Sequence, residues 1–167
     1  PLCRALKQVY RWQTWTAWPE DLKNFVPSAV HAFHTQYREY VDFFAYVQWV
    51  LDLQLRRTKT FAQEQGVLIF GDIPFGTNLD SAEVWSEREN YRLGYEIGAP
   101  ADQFSKGGQR WGLPAYDWPY QHTHNLDLWR RKIRRVTELY DLFRLDHLVG
   151  FFRTYVFAPG DEHGAFD

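Results

Sequence analysis

From residue 28 onward, apolar residues recur at spacings of three and four: Val30, Phe33, Tyr37, Tyr40, Val41, Phe44, Val47, Val50, Leu51 and Leu55. That period predicts one long amphipathic helix, capped by Ser28 after Pro27, running to Gln65 and closed by Gly66. A helix of that length is expected to pack on a large body. Upstream the pattern is weaker. It predicts a short helix near Leu2–Tyr10 and another opened by Trp18-Pro19-Glu20-Asp21, with proline in the first turn and acids complementing the dipole. Val67-Leu68-Ile69-Phe70 is a continuous apolar run, expected as a strand buried on both faces, as in parallel sheets. Leu126–Tyr140 regains the helical period, with Leu128, Trp129, Ile133, Val136 and Leu139 on one side and Arg130, Arg131, Arg134 and Arg135 largely on the other. Leu142–Asp146 reads as a second strand and Thr154–Phe157 as a third extended piece. The stretch 76–125 reads mostly as loop, with a helical turn near Ser81–Trp85 capped by Ser81 or Asp80.

Helix, strand, long excursion, helix, strand is the order of an α/β fold with parallel strands. Function in such folds gathers at the carboxyl ends of the strands, and a loop as long as 76–125 is usually functional. Each of the two strands leads to an acid there, Asp72 and Asp146.

Composition narrows the partners. Nineteen Lys and Arg against 21 Asp and Glu leave a net charge of −2, which gives no basic field for a nucleic acid or an anionic membrane. No run approaches the ~18 apolar residues of a membrane helix. The single cysteine, Cys3, cannot form an intrachain disulfide, and a cytoplasmic setting is expected. Aromatic residues make up 19% of the chain. Most are expected in the core, and some as flat platforms for sugar rings. The chain has no Met and no element that closes its end, so it reads as an internal piece of a longer protein.

Arg144-Leu145-Asp146-His147 is the most informative stretch. Alternation along a strand turns Arg144 and Asp146 to one face and Leu145 to the other. A guanidinium beside a carboxylate favours the ionised acid. An ionised, oriented carboxylate at a strand's end suits a nucleophile or electrostatic stabiliser in glycosyl transfer. The same spacing equally fits a structural ion pair.

Several motifs together resemble the amylomaltases, the 4-alpha-glucanotransferases of the α-amylase clan. They are Phe70-Gly71-Asp72-Ile73-Pro74 with Asp80-Ser81-Ala82-Glu83-Val84-Trp85, and Ala99-Pro100-Ala101-Asp102-Gln103-Phe104-Ser105 with Gly108-Gln109-Arg110-Trp111-Gly112-Leu113-Pro114. Phe143-Arg144-Leu145-Asp146-His147 with Gly150-Phe151 is another. The helix carrying Phe44, Gln48-Trp49 and Gln54 is also similar, and the likeness covers nearly the whole chain.

The resemblance implies a (β/α)8 TIM barrel. Residues 1–167 would supply part of that single catalytic domain, about strands three and four with a long inserted loop region, truncated at both ends. It implies Asp146 as the nucleophile that forms a β-glucosyl-enzyme intermediate and Arg144 as the group holding it. Asp72 would support the arginine or the neighbouring subsite, and His147 would contact the sugar. Asp102, Phe104, Gln109 and Trp111 would line a groove for an α-1,4-glucan. No cofactor and no metal are implied, and the oligomeric state is left open. The general acid/base Glu and the third acid of the family come from later strands, so the isolated piece is expected to be inactive. Glu83, Glu87, Glu89 and Glu162 are acids within the chain, none in the context of that Glu. Gly76-Thr77-Asn78 departs from the usual apolar-Val-Ala segment. A related α-glucan hydrolase and a non-catalytic glucan-binding domain are the alternatives.

Three further features carry no separate function. His122-Thr123-His124 lacks the convergent partners of a zinc site and reads as an exposed loop before a helix capped by Asn125. The arginines of 130–135 read as a solvated helix face. Gly107-Gly108 lacks the strand-to-helix turn and lysine of a phosphate loop.

Overall fold

The computed structural model describes residues 1–103 and 105–167, which form two compact units, Pro1–Leu68 and Ile69–Asp167. The first unit is helical: α1 (Leu2–Val9), α2 (Glu20–Lys23), α3 (Pro27–Gln36) and α4 (Arg38–Glu64). Its core gathers Leu6 and Ala5 of α1 with Trp15, Trp18, Leu22, Phe33 and Val41. The Tyr10 ring bridges Trp18 and Phe33, with centroids 6.2 and 6.5 Å away.

The long helix expected from residue 28 is two helices broken at Tyr37, whose backbone (φ −115°, ψ 34°) leaves the helical range. Its cap is also displaced. Helix α3 starts at Pro27, and the N-cap position is Val26 with no side-chain hydrogen bond. Proline needs no amide partner at the first helical position, so the helix gains a residue and Ser28 falls inside it. Of the apolar stripe, only Phe33 and Val41 are buried, while Tyr40 and Leu51 are exposed together with Tyr46 and Trp49.

The second unit holds β1 (Phe70–Ile73), α5 (Ala82–Ser86), β2 (Tyr91–Ala99), β3 (Gln109–Tyr116), α6 (Trp118–Thr123), α7 (Asp127–Leu139), β4 (Leu142–Leu145), β5 (Tyr155–Phe157) and β6 (Ala165–Phe166). Strands β1 and β4 pair in parallel, with Asp72 opposite Arg144. This agrees with the α/β order read from the sequence. A separate antiparallel sheet runs β3-β2-β5-β6.

The first strand lies three residues later than the apolar run predicted, and Val67, Leu68 and Phe70 are exposed rather than buried. The backbone explains the shift. Gly66 turns with φ +71°, and the Val67 amide still donates to the Ala62 carbonyl at 2.8 Å. The Ile69 amide is taken by the Asp141 carboxylate at 2.9 Å, so strand pairing begins only at Phe70. Gly71 is required in that strand, because a Cβ there would stand 2.5 Å from the Tyr140 ring.

The stretch 76–125 is not mostly loop. It contains the β2–β3 hairpin and α6 as well as the short helix capped by Ser81, whose Oγ accepts from the Val84 amide at 3.1 Å. Helix α7 begins after two left-handed residues, Asn125 and Leu126. Leu126 holds the cap position with no side-chain bond, so Asn125 is not the cap.

The core of this unit is aromatic. Phe75, 2% exposed, is ringed by Tyr116, Trp118, Trp129, Phe151 and His147, with centroids 5.2–6.3 Å away.

Candidate functional site

The parallel pairing of β1 with β4 builds the site. Asp72 and Arg144 are directly opposed across the ladder and share a face. Arg144 donates Nε to Oδ1 of Asp72 at 3.1 Å and Nη2 to Oδ2 at 2.6 Å, a bidentate fork. The same Nη2 lies 3.2 Å from Oδ1 of Asp146. Asp146 follows the last residue of β4, and its amide donates to the Ile73 carbonyl at 3.0 Å, so its backbone is held in the ladder. The result is a carboxylate–guanidinium–carboxylate row at the carboxyl end of two parallel strands. The hydrogen bond from Arg144 holds the Asp72 carboxyl below its ordinary range, and that same bond pushes the guanidinium up.

His147 takes a left-handed backbone (φ 47°), which turns the chain sharply out of β4. Its ring then lies between two aromatic groups. Phe75 backs it at 5.3 Å, and Trp111 of β3 meets it edge-on at 4.9 Å and 82°. Gly150 makes this approach possible, since a Cβ there would be 2.6 Å from the Phe75 ring and 2.8 Å from the His147 ring. The Trp111 indole N–H donates to Gln109 Oε1 at 3.1 Å, which fixes the indole in its plane.

Asp72, Arg144 and Asp146 are thus linked by ion pairs, and His147, Trp111 and Gln109 by ring and hydrogen-bond contacts, the two groups meeting where Asp146 and His147 adjoin along the chain. Asp102 is placed at the tip of the β2–β3 hairpin. There its Oδ1 accepts from the Ser105 amide at 2.6 Å and its own amide donates to the Ser105 carbonyl at 3.1 Å. Phe104, read from the sequence as a groove residue, lies outside the described residues.

Of the other acids, Glu83 and Glu87 are engaged elsewhere, and Glu89 and Glu162 are exposed. Glu83 forms an ion pair with Lys132 at 2.7 Å. Glu87 is gripped by both Nη atoms of Arg131, and its carboxylate holds the guanidinium more basic than usual. His124 stacks on Tyr120 at 3.9 Å, with Nδ1 2.8 Å from the Tyr120 carbonyl. Among the described residues no cluster of three His, Cys, Asp or Glu could hold a metal, and no helix is long and apolar enough to cross a membrane.

Sequence reasoning missed Phe75, which backs His147, and Tyr116, which bonds the Phe75 carbonyl. The alternation of Trp111, Leu113 and Ala115 was a strand signal that could have placed Tyr116 at the end of β3. Nothing local in the sequence joins Tyr116 to Phe75.

Carboxylates gathered on an arginine at the ends of two parallel strands mark this as an α/β protein with a charged row at the strand ends. The family described as 4-alpha-glucanotransferase matches residues 2–166, and the chain belongs to it. It is 38% identical over 144 residues to the chloroplastic/amyloplastic 4-alpha-glucanotransferase of Arabidopsis thaliana, covering 83% of this chain and 25% of that protein. It is 32% identical over 157 residues to the 4-alpha-glucanotransferase of Clostridium butyricum, covering 90% of this chain and 32% of that protein. The fold superposes on the amylomaltase of Streptococcus agalactiae, solved in complex with acarbose, with a TM-score of 0.94 and 26% identity. That match covers 99% of this chain and 36% of the amylomaltase. The chain therefore spans about a quarter to a third of the length of these relatives, and its α/β fold matches one part of an amylomaltase.

Proposed function

We propose that the protein carrying this chain is a 4-alpha-glucanotransferase that moves α-1,4-glucan segments between maltodextrins by a retaining double displacement. Both units belong, on this reading, to one (β/α)8 barrel, of which β1 and β4 are about the third and fourth strands. Asp146 attacks the anomeric carbon of the donor, the glycosidic bond breaks, and a β-glucosyl ester forms. The 4-hydroxyl of an acceptor glucan then displaces the ester and returns the sugar to the α configuration. Arg144 orients the Asp146 carboxylate, and Asp72 fixes Arg144 through the bidentate fork. His147 contacts the sugar being transferred. Trp111, with Gln109, offers an indole face to the glucan and excludes water, which favours a sugar acceptor. Asp102 and Phe104 line the same groove. The acid that protonates the leaving oxygen lies outside these residues. No cofactor is required, and a cytoplasmic setting accords with a sequence that holds a single cysteine.

The observation that carries this reading is the row Asp72–Arg144–Asp146 at the strand ends. In the full-length protein, Asp146→Asn is expected to lower disproportionation of maltotriose by about a thousandfold or more while glucan binding, measured calorimetrically, persists. Near wild-type turnover in that variant would remove Asp146 from the mechanism. A net rise in reducing ends without longer glucans in the wild type would mark a hydrolase instead.

A further inference from the structure

A polar cluster lies behind the loop between β1 and α5. Three donors converge on Oε1 of Glu83: the Thr77 hydroxyl at 3.1 Å, the Lys132 ammonium at 2.7 Å and the Tyr91 hydroxyl. Lys132 also donates to Thr77 Oγ1 at 3.1 Å, and its ammonium sits 4.8 Å from the Trp129 ring centroid. Tyr116 completes the cluster, with its hydroxyl 3.2 Å from Thr77 Oγ1 and donating to the Phe75 carbonyl at 2.6 Å. Burial holds the Tyr91 and Tyr116 phenols well above their ordinary range, so both remain donors.

These contacts tie α5, β2, β3 and α7 to Phe75 and Thr77. A buried carbonyl needs a donor, and Tyr116 supplies it to Phe75. Gly76 between them is confined as well, since a Cβ there would stand 2.3 Å from Leu113 Cδ1. The loop is therefore set by directional bonds rather than by apolar packing alone, which would let rings slide. Phe75 in turn is the ring against which His147 rests.

We propose that Thr77, Glu83, Tyr116 and Lys132 are positioning residues for glucan transfer: the cluster fixes Phe75, and Phe75 holds the His147 imidazole edge-on to Trp111 beside Asp146. This rests on the reading of His147 and Trp111 as glucan contacts. The chain of action is Tyr116 to Phe75 through its hydrogen bond and Thr77 to Phe75 through the backbone two residues away, then Phe75 to His147, and His147 to the sugar.

The test uses the full-length protein with Thr77→Val, which deletes the hydroxyl at nearly constant volume, Tyr116→Phe, and Thr77→Ser as the conservative rescue. Steady-state disproportionation of maltotriose and the ring 13C–1H resonances of His147 are measured for each. In Thr77→Val and Tyr116→Phe, kcat is expected to fall about tenfold, the scale of one net hydrogen bond, with KM within about twofold. The His147 resonances should shift in both, and Thr77→Ser should restore both readouts. Unchanged kcat and unchanged His147 resonances, with only a lower melting temperature, would reduce the cluster to a structural role and overturn the proposal. If the wild type disproportionates no maltodextrin, the transferase reading fails by itself. The His147 resonances then still decide the positioning claim, a shift supporting it and constancy refuting it.

Discussion

Arg144 divides its guanidinium unequally, with two hydrogen bonds to Asp72 and an ion-pair contact of 3.2 Å to Asp146. Asp72 therefore pins the arginine more firmly than Asp146 does. The Arg-Leu-Asp alternation showed that Arg144 and Asp146 share a face, because that follows from strand geometry alone. The bidentate role of Asp72 did not follow from spacing. It depends on a parallel register between strands 72 positions apart in the chain, and only the family resemblance pointed to it. The fork has a consequence for pH. Arg144 depresses the folded carboxyl of Asp72, so the pair's contribution to stability is present above the unfolded value near about pH 4. It is lost as the pH falls through the lower folded value. Melting temperatures across pH should show Asp72→Asn below wild type at neutrality, by a modest margin because the pair is solvent-screened, with the gap closing as the pH is lowered into the acid range. A gap that persists in acid would assign the effect to packing instead.

Among the elements, the β2–β3 hairpin was hidden in plain alternation. Tyr91, Leu93, Tyr95, Ile97 and Ala99 occupy every second position, but Gly94 and Gly98 between them read as loop residues. Those glycines have structural causes. Gly94 takes φ +96° where the register with β3 shifts, and at Gly98 a Cβ would lie 1.9 Å from the Gln109 carbonyl oxygen. Gly98→Ala is expected to destabilise the protein by about 1–3 kcal/mol in urea titration, and to loosen Trp111 further along the same pairing. Stability within a few tenths of wild type would show that the hairpin opens at no cost. The cap of α5, by contrast, was legible to within one residue, and the structure selects Ser81 over Asp80. Ser81→Ala should cost about 1 kcal/mol in the same titration, and no loss would mean the short helix does not need it. The helix break at Tyr37 was unreadable, since the apolar period runs through it and no glycine or proline marks it.

At the scale of the molecule, the expectation that most aromatic rings are core does not hold: Trp15, Trp18 and Phe33 are buried in one unit and rings gather around Phe75 in the other, but only nine of the described aromatic residues are buried. Large apolar side chains face solvent, including Phe152 at 82% exposure, Phe70 and Trp49. An apolar groove of about 350 Å³ opens among Trp118, Ile133, Leu145, Phe151 and Phe152. Surfaces of this kind associate in water. The 167-residue polypeptide expressed alone should therefore sediment as oligomers and show no transfer on maltotriose. A monodisperse, cooperatively melting monomer would contradict the first expectation, and measurable disproportionation the second. The central claim, a covalent sugar ester on Asp146, is tested most directly by trapping. The full-length protein is incubated with a fluorinated α-glucosyl fluoride donor, digested and mapped by mass spectrometry. The account predicts the glucosyl label on the peptide containing Asp146, and a label on any other residue would contradict it.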